Sequence, residues 1–398
     1  MNPSQLFALD NMQRLLIVTG ELSGDMHGAK LAKALKQADP SITLLGVGGR
    51  NMKEAGVDLI HGIAHLDVVG TLGVQQARAV LRTYSAVRRF LKATPPDLVI
   101  FIDNPGLNLR LASVAKSLSV SVIYYVAPQV WAWHRSRLKL IARVVDHMIV
   151  ILPFEEDLFR AAGVPCTFVG HPLLDDVEDE SNDTQDDLRA SFGCDPKQQV
   201  IAMFPGSREK EVQAHLPLML EAVAQVCDDI PVQVLVAMAT SVDRSRIETM
   251  CRHYPFEVMC VSGRATDVMR SADLLLVSSG TATLQAGFLG IPMIIVYRTS
   301  WLTYCLARWL VQIKWIGLVN IVMDRSVVPE LIQHHATPSR LAELTRSLLS
   351  DQASYQRMAD DLTGVRMKFG SLGAVDRAAA VIVKHLTQGS GNVIHSSA

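Results

Sequence analysis

Short apolar runs of six to eight residues alternate with longer mixed segments along most of the chain. One set comprises LLIVTG at 15–20, ITLLGVGG at 42–49, LVIFID at 98–103, VSVIYYV at 120–126 and HMIVIL at 147–152. A second comprises QVIAMF at 199–204, VQVLVAM at 232–238, FEVMCV at 256–261, LLLVSS at 274–279 and PMIIVY at 292–297. Runs this continuous suit strands buried on both faces, and such strands belong to parallel sheets with helices crossing between them. Two sets of similar rhythm predict two doubly wound α/β domains. A length of 398 residues, beyond what a single core usually covers, agrees.

The segment LLDDVEDESNDTQDDLRASFGCD is acid-rich and almost free of apolar residues from Asp175 to Asp187, so 175–197 is read as a solvated interdomain connection. GAVDRAAAVIVKHL has helical apolar spacing, which predicts a helix over 372–387 followed by a disordered tail over 388–398. The folded domains then span 1–174 and 198–371.

Hydrophobic residues make up 49% and charged residues 19%, which excludes a disordered or fibrous chain, and a net charge of −1 gives no general attraction to nucleic acid. The six cysteines form no CxxC pair, as suits a reducing compartment. The first residues lack a basic leader, which reads as the first strand of a cytoplasmic protein. No uninterrupted run reaches membrane-spanning length; the nearest, 301–323, is broken by Arg308 and Lys314 and suits an interfacial helix or an amphipathic core helix equally.

Ligands of an open parallel sheet bind at the carboxyl ends of its strands, so the loops there carry the chemistry. LVIFI delivers Asp103 to the very end of an apolar run, in FIDNPGLNLRL, where the charge either faces a ligand or caps the next helix; Asn104 or Asn108 could do the capping. After the first strand, TGELSGDMHGA holds Glu21 and Asp25 in one turn, with Ser23 or Asp25 a natural N-cap. FPGSREKEV offers a turn at Gly206, a cap at Ser207, and Arg208, whose charge is wrong for a helix N-terminus unless an anion sits there. Phosphates against those N–H groups and Arg208 would remove the conflict. SSGTATLQA presents Ser279, Gly280, Thr281 and Ala282 at another helix start, a second anion cradle.

Neither GELSGD nor GVGGRN completes GxGxxG, SSGTAT lacks the P-loop lysine, and no GxSxG occurs. Two cradles without a dinucleotide fingerprint favour the diphosphate of a sugar nucleotide. No metal is expected, since His61 and His65 lack a third ligand and His334 and His335 diverge.

Taken together, GELSGDMHGA (20–29), VAPQVWAWHRSRLKLI (126–141), LPFEEDLF (152–159), VPCTFVGHPLLD (164–175), FPGSREKEV (204–212) and SSGTATLQA (278–286) resemble the lipid-A-disaccharide synthases, from about Leu15 to about Lys384. The resemblance implies two Rossmann-like domains facing a cleft, the GT-B glycosyltransferase fold. The N-terminal domain would take the acceptor lipid and the C-terminal domain the UDP-sugar, with the last helix crossing back to the N-terminal domain. It implies no cofactor and no metal. The reaction would transfer 2,3-diacylglucosamine from its UDP conjugate to 2,3-diacylglucosamine 1-phosphate with inversion, at the cytoplasmic face of the inner membrane of a Gram-negative bacterium. Dimers occur in the family, which raises a homodimer as a further expectation.

Carried over by position, Asp103 matches the family's base, and Glu21 and Asp25 its first-loop acids. Gly206, Ser207, Arg208, Ser279, Gly280, Thr281, Ala282, Gln285, Tyr297 and Asn320 form the donor side. Val68, Val69, Leu72, Trp131 and Trp133 would form the acyl and membrane surface. The chain departs from the family at Gly73, Gly106 and Gln285, where relatives usually carry acids. Two other readings stand beside that of a synthase: another UDP-sugar enzyme of this fold, a lipid-linked glycosyltransferase or a 2-epimerase, and, motivated by those losses, a non-catalytic lipid- or nucleotide-binding paralogue.

Overall fold

The computed structural model describes residues 13–63, 74–133, 135–179, 183–310 and 313–394. They form two compact units, one running to Pro172 and resuming at Ser371, the other spanning Leu173–Gly370. Val68, Val69, Leu72 and Gly73 lie outside the described residues.

The first unit is a seven-stranded sheet of β1 (Arg14–Val18), β2 (Thr43–Gly48), β3 (Asp58–Gly62), β4 (Leu98–Ile102), β5 (Ser121–Tyr125), β6 (His147–Val150) and β7 (Cys166–Phe168). The strand order is β3-β2-β1-β4-β5-β6-β7, and every adjacent pair is parallel. Leu15 to Val18 and Leu98 to Ile102 have no solvent exposure, as the unbroken apolar runs require. The second unit holds β8 (Gln199–Phe204), β9 (Val232–Met238), β10 (Val258–Ser262), β11 (Leu274–Ser278), β12 (Met293–Tyr297) and β13 (Glu330–Ile332). Its order is β10-β9-β8-β11-β12-β13, again all parallel.

Both sheets reverse their winding direction beside their first strand, between β1 and β4 and between β8 and β11. Successive helices pass over opposite faces at such a point, and the loops part to leave a crevice. The ten strands expected from apolar runs are present, and β3, β7 and β13 join them at three of the four sheet edges.

The acid-rich segment differs from its expected role as a solvated connection. Thr184 caps a helix over Gln185–Ser191 in a reciprocal capping box with Asp187. Leu174, Val177, Leu188 and Phe192 are buried, and Arg189 pairs with Asp273 at 2.7 Å. The few apolar residues are spaced to pack, so this stretch is part of the second unit's body.

The C-terminal helix runs Ala374–Ile394, past the expected end at 387. Gly389 and Gly391 weaken a helix by about 1 kcal/mol each, but extending an existing helix costs far less than nucleating one. This helix belongs to the first unit, with Ala378, Ile382 and Leu386 buried at spacings of four. Arg377 fastens it: Nε donates to the Val169 carbonyl at 2.9 Å and Nη2 to that of Ser371 at 2.7 Å. On the same helix His385 lies 2.8 Å from the Ser121 hydroxyl. Arg377→Ala should therefore lower the stability of the first unit by roughly 1–2 kcal/mol, read as a lower denaturant midpoint, with the last helix exchanging its amide protons sooner.

Candidate active site

In the first unit, Asp103 and Asn104 follow β4 with φ of 48° and 40°. Left-handed backbone suits Asp and Asn better than most residues, yet it still costs about 1–3 kcal/mol, so neighbours must hold it. The Asp103 carbonyl accepts from the Tyr124 hydroxyl and from Asn108 Nδ2 at 2.8 Å. Asn108 also donates to the Ile102 carbonyl at 3.0 Å, while Asn104 caps the next helix through Leu107 N. The capping work thus falls to Asn104, and the Asp103 carboxylate is left to project from the end of the strand.

The first loop approaches this turn closely. A Cβ on Gly20 would lie 2.0 Å from Asn104 Nδ2, so only glycine fits. Glu21, the N-cap residue of helix Leu22–Ala38, is exposed and makes no capping bond with its side chain. Burial, and secondarily the Glu21 charge, push the Asp103 carboxyl up to about 6. Strain recurs beside it: Val126, after β5, has φ of 61°, unusual for a β-branched residue.

Asp25, expected as a first-loop acid, is buried and fully engaged. Its carboxylate accepts from Gly49 N at 2.6 Å, Asn51 N at 3.0 Å, Asn51 Nδ2 at 2.9 Å and Met52 N at 3.2 Å. It thereby fills the N-terminus of the helix Arg50–Glu54 across the loop and does not cap its own helix. Trp131, expected at the acyl surface, is turned inward: it is buried and donates Nε1–H to Glu155 at 3.0 Å. Burial pushes the Glu155 carboxyl up to about 8, so at neutral pH this pair is a core contact with no exposed charge. Trp133 does face solvent, 43% exposed, with the Arg137 guanidinium 5.6 Å from its ring.

In the second unit, a cavity of about 460 Å³ opens where β8 and β11 end. Gly206, Ser207, Arg208, Ser279, Gly280 and Thr281 contribute to its walls, and its size suits a small-molecule ligand. The helix here is Glu209–Cys227 with Arg208, not Ser207, as N-cap residue. Glu211 supplies the anion this terminus needs: its carboxylate accepts from Ser207 N at 3.1 Å and Arg208 N at 3.3 Å and pairs with Arg208 Nη1 at 2.9 Å. A side chain at Gly206, with φ of 132°, would meet the Glu211 Cβ at 2.6 Å. A largely exposed ion pair is worth about 0–1 kcal/mol, so Arg208 can leave Glu211 for a ligand at small cost.

The other cradle is uncapped. Helix Thr281–Leu289 starts after Gly280 with no side-chain cap and no acidic residue in its first turn. At its start, Gly280, Thr281 and Ala282 line the same cavity as Arg208. Ser279 Oγ donates to the Ile316 carbonyl at 3.0 Å, and Gln285 Nε2 donates to Thr266 Oγ1 at 2.6 Å, which leaves the amide oxygen of Gln285 as its acceptor.

Tyr297 ends β12, its ring 5.7 Å from that of His215. Asn320 is wholly buried, accepting from Val327 N and Val328 N and donating to the Val328 carbonyl and Glu330. These four bonds tie the start of helix Leu318–Met323 to Val327, Val328 and Glu330 and occupy its side-chain amide.

Three positioning residues escaped the sequence. Tyr124 reads as an ordinary strand residue, and His215 carries no spacing signal inside an amphipathic helix. His215 Nδ1 bonds the Pro205 carbonyl at 2.8 Å, and Nε2 accepts from Arg298 N at 2.9 Å; burial lowers its pKa and favours this neutral form. Glu211 could have been found, since Glu three residues after an N-cap is a known signature, had Arg208 been read as the cap.

Two doubly wound units, each with its polar loops gathered at the strand switch, are the architecture of the GT-B fold, which glycosyltransferases share with some epimerases. Residues 15–380 match the family described as Lipid-A-disaccharide synthetase, and the chain belongs to that family. It is 42% identical over 374 residues to the lipid-A-disaccharide synthase of Syntrophus aciditrophicus (strain SB), covering 93% of this chain and 97% of that one. It is 39% identical over 383 residues to that of Trichlorobacter lovleyi, covering 96% and 100%.

Among solved structures, the UDP-GlcNAc 2-epimerase from Neisseria meningitidis bound to UDP-GlcNAc superposes with a TM-score of 0.64 at 12% identity, over 94% of this chain and 100% of that chain. MurG of Acinetobacter baumannii gives 0.58 at 15%, over 94% and 99%. These two share the fold. Family membership decides against the epimerase and the non-catalytic readings: the chain is a glycosyltransferase with the family's activity.

Asp25→Ala would leave four donors without their carboxylate. The expected outcome is a loss of roughly 2–4 kcal/mol in unfolding free energy, measured by denaturant titration. Little change would mean that the β2 loop does not depend on this contact.

Proposed function

We propose that Asp103 is the general base of an inverting transfer. In it, 2,3-diacylglucosamine passes from its UDP conjugate to the 6-hydroxyl of 2,3-diacylglucosamine 1-phosphate, giving the β-1,6 disaccharide 1-phosphate and UDP. The observation that carries this reading is a carboxylate held at the β1–β4 switch on pinned left-handed backbone, its pKa raised to about 6. A base works best with a pKa near the working pH. At neutral pH Asp103 is mostly ionised, yet more basic than an ordinary aspartate. It takes the hydroxyl proton as that oxygen attacks the anomeric carbon, and the bond to UDP breaks on the opposite side.

On the donor side, the charge growing on the diphosphate would be met by the uncapped start of helix Thr281–Leu289 and by Arg208 released from Glu211. Ser207 stays with Glu211. The Gln285 amide oxygen suits a ribose hydroxyl. In this reading Glu21 tunes Asp103, whereas Asp25 and Asn320 position loops. Gly106 leaves open space, its nearest would-be neighbour being Asn104 Oδ1 at 3.9 Å, so the acid relatives carry there is missing without any steric cause.

We place the work at the cytoplasmic face of the inner membrane, with peripheral attachment. No described helix is long and apolar enough to cross a membrane, and the exposed Trp133 beside Arg137 suits a headgroup boundary. A homodimer belongs to the same reading.

Two measurements test the chemistry. With both lipid substrates in detergent, Asp103→Asn should lower kcat by about 10²–10⁴-fold while UDP still binds; full turnover would remove Asp103 as base. The wild-type kcat/KM profile should fall on the acid side through an apparent pKa near 6, because protonation disables the base. Glu21→Gln removes a like charge, so this limb should move to lower pH. An unmoved limb would sever Glu21 from Asp103.

A further inference from the structure

Away from both switch points, Cys251 and Cys260 bring their Sγ atoms to 3.9 Å. Cys251 is the last residue of helix Arg244–Cys251, and Cys260 is the middle residue of β10. A cavity of about 490 Å³ is lined by both cysteines, with Arg244, Glu248, Arg252 and Tyr254 also in its wall. Cys251 is buried and Cys260 half-buried, so a small reactant coming through the cavity meets Cys260 more readily.

The two thiols are not equivalent. The hydrogen bond they share holds the Cys260 thiol below its ordinary pKa, against burial and the Glu248 charge and with a smaller contribution from the Arg244 guanidinium, and raises that of Cys251. In the dithiol Cys260 Sγ donates to Cys251 Sγ; once Cys260 ionises, Cys251 becomes the donor to its thiolate. A thiolate near a cation and open to solvent is the reactive form of cysteine. A disulfide needs the sulfurs at about 2.05 Å, so each has roughly 1 Å to travel. β10 is an edge strand paired only with β9, and no second ladder resists that shift.

We propose that Cys251 and Cys260 form a peroxide-reactive dithiol that closes to an intramolecular disulfide and is reopened by thiol reductants. The Cys260 thiolate attacks one oxygen of hydrogen peroxide; the S–O bond forms, the O–O bond breaks, and the departing hydroxide takes a proton to become water. The Cys251 sulfur then attacks the Cys260 sulfenic acid. The S–S bond forms, the S–O bond breaks, and hydroxide leaves with the Cys251 proton as a second water. Two thiols lose two electrons in all, and one peroxide is reduced to two waters.

The test uses the full-length chain carrying Cys305→Ser, which removes an exposed thiol able to cross-link molecules. After reduction, hydrogen peroxide at a few equivalents should remove two titratable thiols, and peptide mapping should recover Cys251 joined to Cys260. Dithiothreitol should restore both. Adding Cys251→Ser should stop the reaction at a Cys260 sulfenic acid that dimedone traps, with a single thiol lost. An unchanged thiol count, cross-links spread over the other cysteines, or loss of two thiols in the Cys251→Ser protein would each overturn the proposal.

Discussion

A parallel sheet must be re-entered from the same end by every strand, so each connection crosses a face and each strand finishes at the same edge. Where the winding reverses, at β1–β4 and at β8–β11, adjacent loops lead to helices on opposite faces. That constraint puts Glu21 near Asp103 and Arg208 on the same cavity as Gly280, although about eighty residues of sequence separate the members of the first pair and about seventy those of the second. The polar residues of the site need no specific attraction to find one another. Strand order brings them together once the apolar strands are buried.

The chain uses its own carboxylates as fixed anions. Asp25 fills the N-terminus of Arg50–Glu54, and Glu211 that of Glu209–Cys227. Each satisfies backbone donors that would otherwise need water or a ligand. Among the described residues, the start of Thr281–Leu289 has no side-chain cap and no acid in its first turn. That contrast separates two termini closed by carboxylates of the chain from one without such a carboxylate, and the Glu211 contact explains how Arg208 can precede a helix without destabilising it.

The central strands were legible because burial on both faces demands an unbroken apolar run. β3 reads DLIHG with both ends exposed, and β7 and β13 are three residues each; these three edge strands lack such a run and left no signal, whereas β10, also at an edge, has one. The placement of Asp103, Arg208 and Ser279 to Ala282 in loops at strand ends was legible because they follow the central strands β4, β8 and β11. Asp25, Asn320 and Trp131 looked equally functional in sequence, but their side chains are spent on internal partners. For Asp25 these lie 24 to 27 residues away, beyond any local pattern. The acid-rich stretch misled for a related reason: four apolar residues suffice to dock short helices, while composition averages them away.

Gly20 and Gly106 flank the same crevice under opposite constraints. At Gly20 a single carbon would collide with Asn104, whereas at Gly106 a Cβ would meet nothing closer than Asn104 Oδ1 at 3.9 Å. The distance between the two loops is therefore set by packing, while the number of charges in the crevice is not. Evolution can add or remove an acid at position 106 without renegotiating the fold, so electrostatic character and architecture are inherited separately at this site.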